Sequence, residues 1–192
     1  MALAEEVWSI SSTGALRQGE ILSHVQQTYL DPATLRSPDS LNIDVRTHAW
    51  VVVLTQDCDT DWDYRARQDL DGIEGHNKEV PNVLLCEALT QDELRARPQI
   101  KSDIWRRIRD NQDERFHALP EIPARLDREG EGVPDLILDF KRCFTIPTPE
   151  MYARLQLRGD DGIRRRAWLK PPYREQVADR AFAFHARVAV PD

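Results

Sequence analysis

The chain has 192 residues, of which 41% are hydrophobic and 31% are charged, with a formal net charge of -7. This length fits one domain, and the hydrophobic content excludes a wholly disordered chain. The acidic balance excludes broad, non-specific adhesion to nucleic acid, which depends on neutralising phosphates, although a local basic groove remains compatible with it.

The three cysteines, Cys58, Cys86 and Cys143, are widely spaced and form no CxxC or Cys/His pattern. We therefore expect neither a disulfide framework nor a structural zinc site, and no cofactor is predicted. Cys58 is flanked by carboxylates, which disfavour its thiolate, so it is predicted to be a small buried residue. The acidic start and the lack of a long apolar run predict a cytoplasmic protein that does not contact a membrane.

Strands are predicted from short apolar runs in the first half of the chain. A strand over 19–25 follows a glycine turn, and the continuous β-branched and aromatic run 49–54 is typical of a central buried strand. A second core strand is expected over 82–89. Between them, the polar segment 56–79 is predicted to be a long loop with one helical turn at 64–70.

Two short helices are predicted after the second core strand. Thr90 can cap the first, because Glu93 stands at the spacing of a capping box. Ser102 is expected to cap the second, which carries an apolar face and three arginines on its other sides. These arginines are candidate RNA-binding residues: Arg106, Arg107 and Arg109.

The remaining elements complete a mixed pattern. Strand candidates lie at 136–140 and 143–146, a helix begins at Thr148-Pro149, and a last helix runs from Pro171-Pro172 to about residue 188. We expect one α+β domain over residues 1–192. Its core spans about 17–146, and a C-terminal helical segment spans about 147–192.

An acidic stretch directly follows the strand 49–54, and its first residues are candidates for a site at the strand end: Gln56, Asp57 and Asp59. The alternating carboxylates resemble the start of an EF-hand loop, but tryptophan occupies the required glycine position, so no metal site is predicted. A structural alternative stays open, in which Asp57 and Asp59 accept hydrogen bonds from backbone N–H groups or from an arginine.

Arg115 and His117 lie two residues apart and share one side if the chain is extended there. An arginine that holds phosphate beside a histidine that transfers protons suits a ribonuclease. The structural alternative is that Arg115 pairs with Asp57 or Asp59 while His117 caps a buried backbone group.

Further basic clusters predict a phosphate-binding patch if the fold brings them together with the three arginines of the second short helix. Scattered solvated charge is the alternative. These clusters are Lys141-Arg142 and Arg164-Arg165-Arg166.

Three segments, 19–22, 48–57 and 83–90, together resemble the N-terminal half of MazF/PemK-like toxins, with their "GDI", "RPVVVLS" and "VIVAPIT" strands. The resemblance covers about residues 17–90. It implies an SH3-like small β-barrel with inserted loops and peripheral helices, commonly dimeric, which cleaves single-stranded RNA without metal. The family is held silent by an antitoxin protein that covers the RNA groove.

By the same resemblance, the catalytic arginine of the family falls near Arg46, displaced because Thr47-His48-Ala49 occupies its position, and the catalytic serine or threonine falls on Thr90. The stretch 55–59 also resembles uncharacterised bacterial proteins with an S/T-x-D-C-D signature.

The leading hypothesis is an effector of a bacterial toxin–antitoxin or anti-phage system that cleaves or binds RNA under the control of a protein partner. Arg46, Thr90, Arg115 and His117 would supply phosphate binding and proton transfer. One alternative is a non-catalytic adaptor that binds another protein. The other is a metal-dependent phosphodiesterase that uses Asp57, Asp59 and His117.

Overall fold

The computed structural model describes residues 2–34, 41–68, 77–157, 159 and 162–187. Within them the chain forms an antiparallel sheet with helices on its faces and edges. The strands are β1 (Trp8–Ile10), β2 (Glu20–Leu30), β3 (Ile43–Val53), β4 (Asn82–Thr90), β5 (Phe116–Leu119), β6 (Leu136–Pro147) and β7 (Arg164–Leu169). The helices are α1 (Ala2–Val7), α2 (Asp57–Arg67), α3 (Gln91–Arg95), α4 (Ser102–Arg109), α5 (Thr148–Gln156) and α6 (Tyr173–His185).

The strand order is β1-β7-β2-β3-β4-β6-β5, and all neighbouring strands are antiparallel. The strands β1 and β5 lie at opposite edges, so the sheet is open across the described part of the chain. The predicted α+β class and C-terminal helix are confirmed, whereas closure into a barrel is not. None of the helices in the described ranges combines the length and the apolar character needed to cross a membrane.

The strand β3 lies in the middle of the sheet, and its residues 51–53 are buried on both faces, as the continuous apolar run predicts. Val52 packs on one face in a cluster that includes Phe184 of α6. Val51 and Val53 pack on the other face with Met151 of α5. The sheet is therefore covered by a helix on each side, which explains why three consecutive valines are fully buried.

The strands β2 and β3 continue past their neighbours as a two-stranded ribbon. The strand β7 pairs with β2 only up to Ser23, and β4 pairs with β3 only from Trp50 onward. Beyond these points β2 and β3 pair only with each other in the described pairings. Exposed apolar side chains lie toward the tip of this ribbon: Tyr29, Leu30, Leu41, Ile43 and Val45.

The predicted loop 56–79 is wrong in its first half, because residues 57–67 form α2. The acidic side chains of Asp57 and Asp59 lie in the first turn, where the helix dipole favours them. Later in the helix, Arg67 pairs with the buried Asp63 one turn away, with Nε 3.0 Å from Oδ1. Local ion pairs thus stabilise a helix whose polar sequence has no clear apolar stripe. Residues 69–76 of the predicted loop lie outside the described residues.

Other predicted boundaries also change. The two strand candidates 136–140 and 143–146 are one strand, β6, which continues through an irregularity in its pairing. Ser102 is the first residue of α4, and Lys101 holds the N-cap position. The capping box of Thr90 and Glu93 is confirmed. The last helix ends at His185, and the end predicted at residue 188 lies outside the described residues.

Candidate functional site

The candidate site lies at a large bulge between β4 and β6. The residues on either side of Glu87 pair regularly with β6, but the four residues from Asp139 to Arg142 lie opposite Glu87 alone. Such bulges redirect side chains and are common beside functional sites. Here the bulge brings charged side chains from both strands together.

Glu87 is one centre of this site. Its carboxylate accepts a hydrogen bond from Arg142 Nη1 at 2.7 Å and lies 3.4 Å from Arg46 Nη2 and 3.5 Å from His48 Nδ1. Burial raises the pKa of this carboxyl group, but the contact with His48, the hydrogen bond from Arg142 and the charges of Arg142 and Arg46 lower it to about 2. Glu87 is therefore ionised at neutral pH, and its negative charge attracts the side chains of Arg142 and Arg46.

Asp139 is the second centre, and its side chain is fully buried. Arg115 binds it with two parallel hydrogen bonds, each 2.6 Å long, from Nε and Nη2. Arg142 Nε lies 3.6 Å and Arg97 Nη1 3.9 Å from the same carboxylate. Arg142 therefore bridges the two acids and joins all of these groups into one network, which we call the bulge network.

The bulge network carries more guanidinium than carboxylate groups, because Arg46, Arg97, Arg115 and Arg142 surround Glu87 and Asp139. The side chains of three of these arginines are partly open to solvent: 51% for Arg46, 37% for Arg142 and 35% for Arg115. A guanidinium group has five N–H donors, and one carboxylate uses at most a few of them. The exposed edges remain able to bind an anion.

An aromatic pair lies beside Glu87. The buried His48 ring stacks on Phe144 with 4.2 Å between ring centroids, and His48 Nε2 lies 3.2 Å from Gln27 Oε1. Phe144 is only half-buried. The stacked ring of Phe144 thus helps to hold His48 beside Glu87.

Thr90 and His117 do not join the bulge network in the described contacts. The Thr90 hydroxyl donates to Glu93 Oε2 at 2.9 Å and accepts from the Glu93 backbone N–H at 3.3 Å, so it is used in capping α3. His117 is buried, and burial together with the charge of Arg180 lowers its pKa to about 4. Its imidazole is therefore neutral at pH 7. Its Nδ1 has no hydrogen-bond partner among the described residues, so the predicted cap of a backbone group is not found there.

The structural alternative for Arg115, an ion pair with a carboxylate, is confirmed, but the predicted partner is wrong. Arg115 pairs with Asp139, and not with Asp57 or Asp59. Asp57 instead accepts the backbone N–H of Gln18 at 2.6 Å and pairs with Arg174 of α6. The structural role predicted for Asp57, as an acceptor for a backbone N–H group and an arginine, is confirmed.

The neighbours of Asp57 in the acidic stretch face solvent. Gln56, Cys58 and Asp59 are exposed. The prediction that Cys58 is buried is wrong, because the residue lies in the first turn of α2 and not in an extended segment under the sheet. Across the described residues, no group of three or more His, Cys, Asp or Glu side chains is arranged to hold a metal ion.

The predicted basic patch is only partly formed. Arg165 and Arg166 are buried in ion pairs with Glu20 and Asp127, so these two do not contribute to a phosphate-binding patch. Lys141 is exposed within the bulge itself. The three arginines of α4 are also exposed, on a helix that packs through Ile108 in the same apolar cluster as Phe116 of β5.

Sequence reasoning missed Glu87, Asp139, His48 and Arg97. A usable signal existed for the two acids, since Glu87 interrupts the apolar run 82–89 and Asp139 interrupts 136–140. A carboxylate inside a buried strand requires a cationic partner, because burying it alone is very costly. No sequence pattern indicated which arginines would be those partners.

Comparisons of the chain with protein-family models, with curated proteins and with solved structures found no match.

Proposed function

We propose that the protein binds single-stranded RNA through the bulge network and acts as an effector of a bacterial toxin–antitoxin or anti-phage system. One observation carries the proposal. Arg46, Arg115 and Arg142 come from distant parts of the sequence, yet they meet around two buried carboxylates with their guanidinium groups partly exposed.

The buried acids prepare these arginines for binding. Hydrogen bonds to Glu87 and Asp139 restrict the guanidinium groups to a few orientations before a ligand arrives, which reduces the entropy lost on binding. The exposed edge of an arginine matches phosphate with paired N–H donors, and several arginines together suit a chain of phosphates. The half-buried Phe144 ring offers a face on which an unpaired base can stack.

RNA, rather than another polyanion, is proposed because of the resemblance to MazF/PemK-like toxins. On the same resemblance, we propose that the fold of this chain is related to an SH3-like small barrel. In this account Arg46 and Arg115, which were predicted from sequence to be catalytic, contact the RNA backbone. The positions of Thr90 and His117 support binding more directly than cleavage, since the hydroxyl caps a helix and the imidazole is buried and neutral.

The proposal is tested by incubating the purified protein with a long single-stranded RNA, with and without EDTA, on native and denaturing gels. Retarded intact RNA supports binding. Discrete fragments that resist EDTA, and that disappear in folded Thr90→Ala and Arg115→Ala variants, would extend the function to cleavage. An RNA that is neither retarded nor cut at low salt would contradict the proposal.

A second candidate function, a module that binds another protein, is favoured by the ribbon of β2 and β3. Its tip exposes several large apolar side chains, which soluble surfaces rarely place side by side. The ribbon also carries Arg46, so a protein on the tip would lie close to the bulge network. A pull-down from the host that recovers one protein with wild type but not with Ile43→Glu would support this function. Equal recovery by both would contradict it.

A further inference from the structure

Two cysteines lie directly opposite each other in the sheet. Cys86 of β4 and Cys143 of β6 are Cα partners, in the last regular pair before the bulge. Directly opposed residues of antiparallel strands have Cα atoms about 4.5–5.5 Å apart, which lies within the range of about 4.4–6.8 Å found in disulfides. Both thiols are free in this structure. The backbone therefore already holds the two residues at a spacing that a disulfide can bridge.

The two thiols differ in their surroundings. Cys86 is fully buried, and its thiol donates to the backbone carbonyl of Asp139 at 3.4 Å. Contact with Cys143 and burial raise the pKa of Cys86. The neighbouring Cys86 thiol and the nearby His185 lower the pKa of Cys143 to about 6, against the opposing effects of burial and Asp139. Cys143 is thus the better nucleophile of the pair near neutral pH.

Cys143 is also the thiol that a small molecule can reach. It is half-buried and lines a groove of about 640 Å³ between α6 and the ends of β3 and β4. Leu54, Leu84 and Phe182 contribute apolar walls, and His185 lies on the same lining. Cys143 is thus part of the lining of a groove open to solvent, whereas Cys86 is fully buried in the core.

We propose that Cys143 and Cys86 form a peroxide-reactive dithiol. The Cys143 thiolate attacks one oxygen of a hydroperoxide, and the O–O bond breaks. The departing alkoxide, or hydroxide when the oxidant is hydrogen peroxide, takes up a proton and leaves as an alcohol or as water. Cys143 is now a sulfenic acid. The Cys86 sulfur then attacks the Cys143 sulfur, an S–S bond forms, and hydroxide leaves with the Cys86 proton as water. The peroxide is reduced by two electrons, and the dithiol is oxidised by two.

The two cysteines lie directly beside the bulge network in sequence. Cys86 precedes Glu87 in β4, and Cys143 follows Arg142 in β6. A disulfide between them joins β4 and β6 covalently at the position where the bulge begins. The reaction itself does not depend on what the bulge network binds.

The test treats the full chain in a Cys58→Ser background with equimolar hydrogen peroxide and follows its intact mass. Cys58 is removed because it is exposed and would react independently. We expect a product lighter by two hydrogen atoms, restored by dithiothreitol, with peptide mapping that joins Cys86 to Cys143. In a Cys86→Ser variant the reaction should stop at a sulfenic acid, which dimedone traps on Cys143. A Cys143→Ser variant should form neither product.

Other outcomes would overturn the proposal. These are an unchanged mass under conditions that oxidise Cys58 in the wild-type chain, a disulfide between two molecules, or dimedone labelling on Cys86 instead of Cys143. Peptide mapping of the Cys58→Ser protein distinguishes a disulfide within one molecule from these outcomes even if the other two variants fail to fold. Circular dichroism of each variant identifies such failures.

Discussion

Two regions of this molecule pair arginines with buried carboxylates, and they differ in how much of each guanidinium group remains exposed. On β7, the side chains of Arg165 and Arg166 are only 10% and 2% exposed. At the bulge, the side chains of Arg46, Arg142 and Arg115 are between 35% and 51% exposed. The same chemical pair therefore occurs once enclosed in the core and once at the surface.

The partners explain the difference. The guanidinium N–H groups of Arg166 donate hydrogen bonds to Asp127, Glu131 and a backbone carbonyl. Those of Arg165 donate to Glu20 and two backbone carbonyls. These groups are satisfied within the fold, so they stabilise it. The arginines at the bulge share two acids among four guanidinium groups and keep open edges. Under the proposed function, exposed donors, and not the number of basic residues in a segment, distinguish the RNA-binding arginines from the structural ion pairs.

The largest effect is expected for Arg166→Ala. The substitution leaves the fully buried Asp127 carboxylate without its cation, which typically costs about 3–5 kcal/mol. Urea unfolding followed by circular dichroism measures the loss. The double variant Arg166→Met/Asp127→Asn is the control, because it removes both charges, keeps a side-chain oxygen that accepts backbone N–H groups, and should recover part of the stability. An Arg166→Ala variant as stable as wild type would contradict the structural role of the Arg166–Asp127 ion pair.

An intermediate effect is expected at acidic pH for Glu87. Its pKa falls from 4.5 in the unfolded chain to about 2 in the folded protein, so the unfolded state binds more protons between these values. The stabilisation is therefore complete above about pH 4.5 and is lost as the pH falls toward 2, by up to about 3 kcal/mol. In Glu87→Gln, the free energy of unfolding should depend less on pH in this window. An unchanged pH dependence would contradict the assigned role of Glu87.

The smallest effect on stability is expected for Arg46→Ala. Arg46 is half exposed, its contact with Glu87 is 3.4 Å long, and Glu87 keeps the shorter bond from Arg142. Exposed ion pairs contribute about 0–1 kcal/mol, so the variant should unfold within about 1 kcal/mol of wild type. A loss comparable to that of Arg166→Ala would place Arg46 with the structural arginines.

Much of the strand pattern could be predicted from sequence, because it follows from local hydrophobic runs. The valines of β3 and the capping box of Thr90 and Glu93 are examples, and each signal lies within a few residues. The strand β7 could not be recognised, since its arginines are neutralised by Glu20 and Asp127, which are far away in the chain. The helix α2 was missed for a similar reason, because ion pairs and not an apolar stripe stabilise it.

The candidate site was predictable only in part. Arg46, Arg115 and Arg142 were selected from sequence, and the structure brings them together. Their meeting point depends on a bulge that places four residues of β6 opposite Glu87, and no local sequence pattern specifies that register. The pairing of β4 with β6, which are far apart in the sequence, therefore determines which of the predicted basic residues share a site.

The most direct test of the central claim measures the affinity for a fluorescently labelled single-stranded RNA, by anisotropy, across a series of salt concentrations. The compared proteins are wild type, Arg46→Ala and Arg65→Ala, which removes an equally exposed positive charge from α2. We predict that Arg46→Ala weakens binding roughly 5- to 10-fold and lowers the salt slope by about 0.7–1, while Arg65→Ala matches wild type. Equal losses in both variants, or wild-type affinity in Arg46→Ala, would contradict RNA binding by the bulge network.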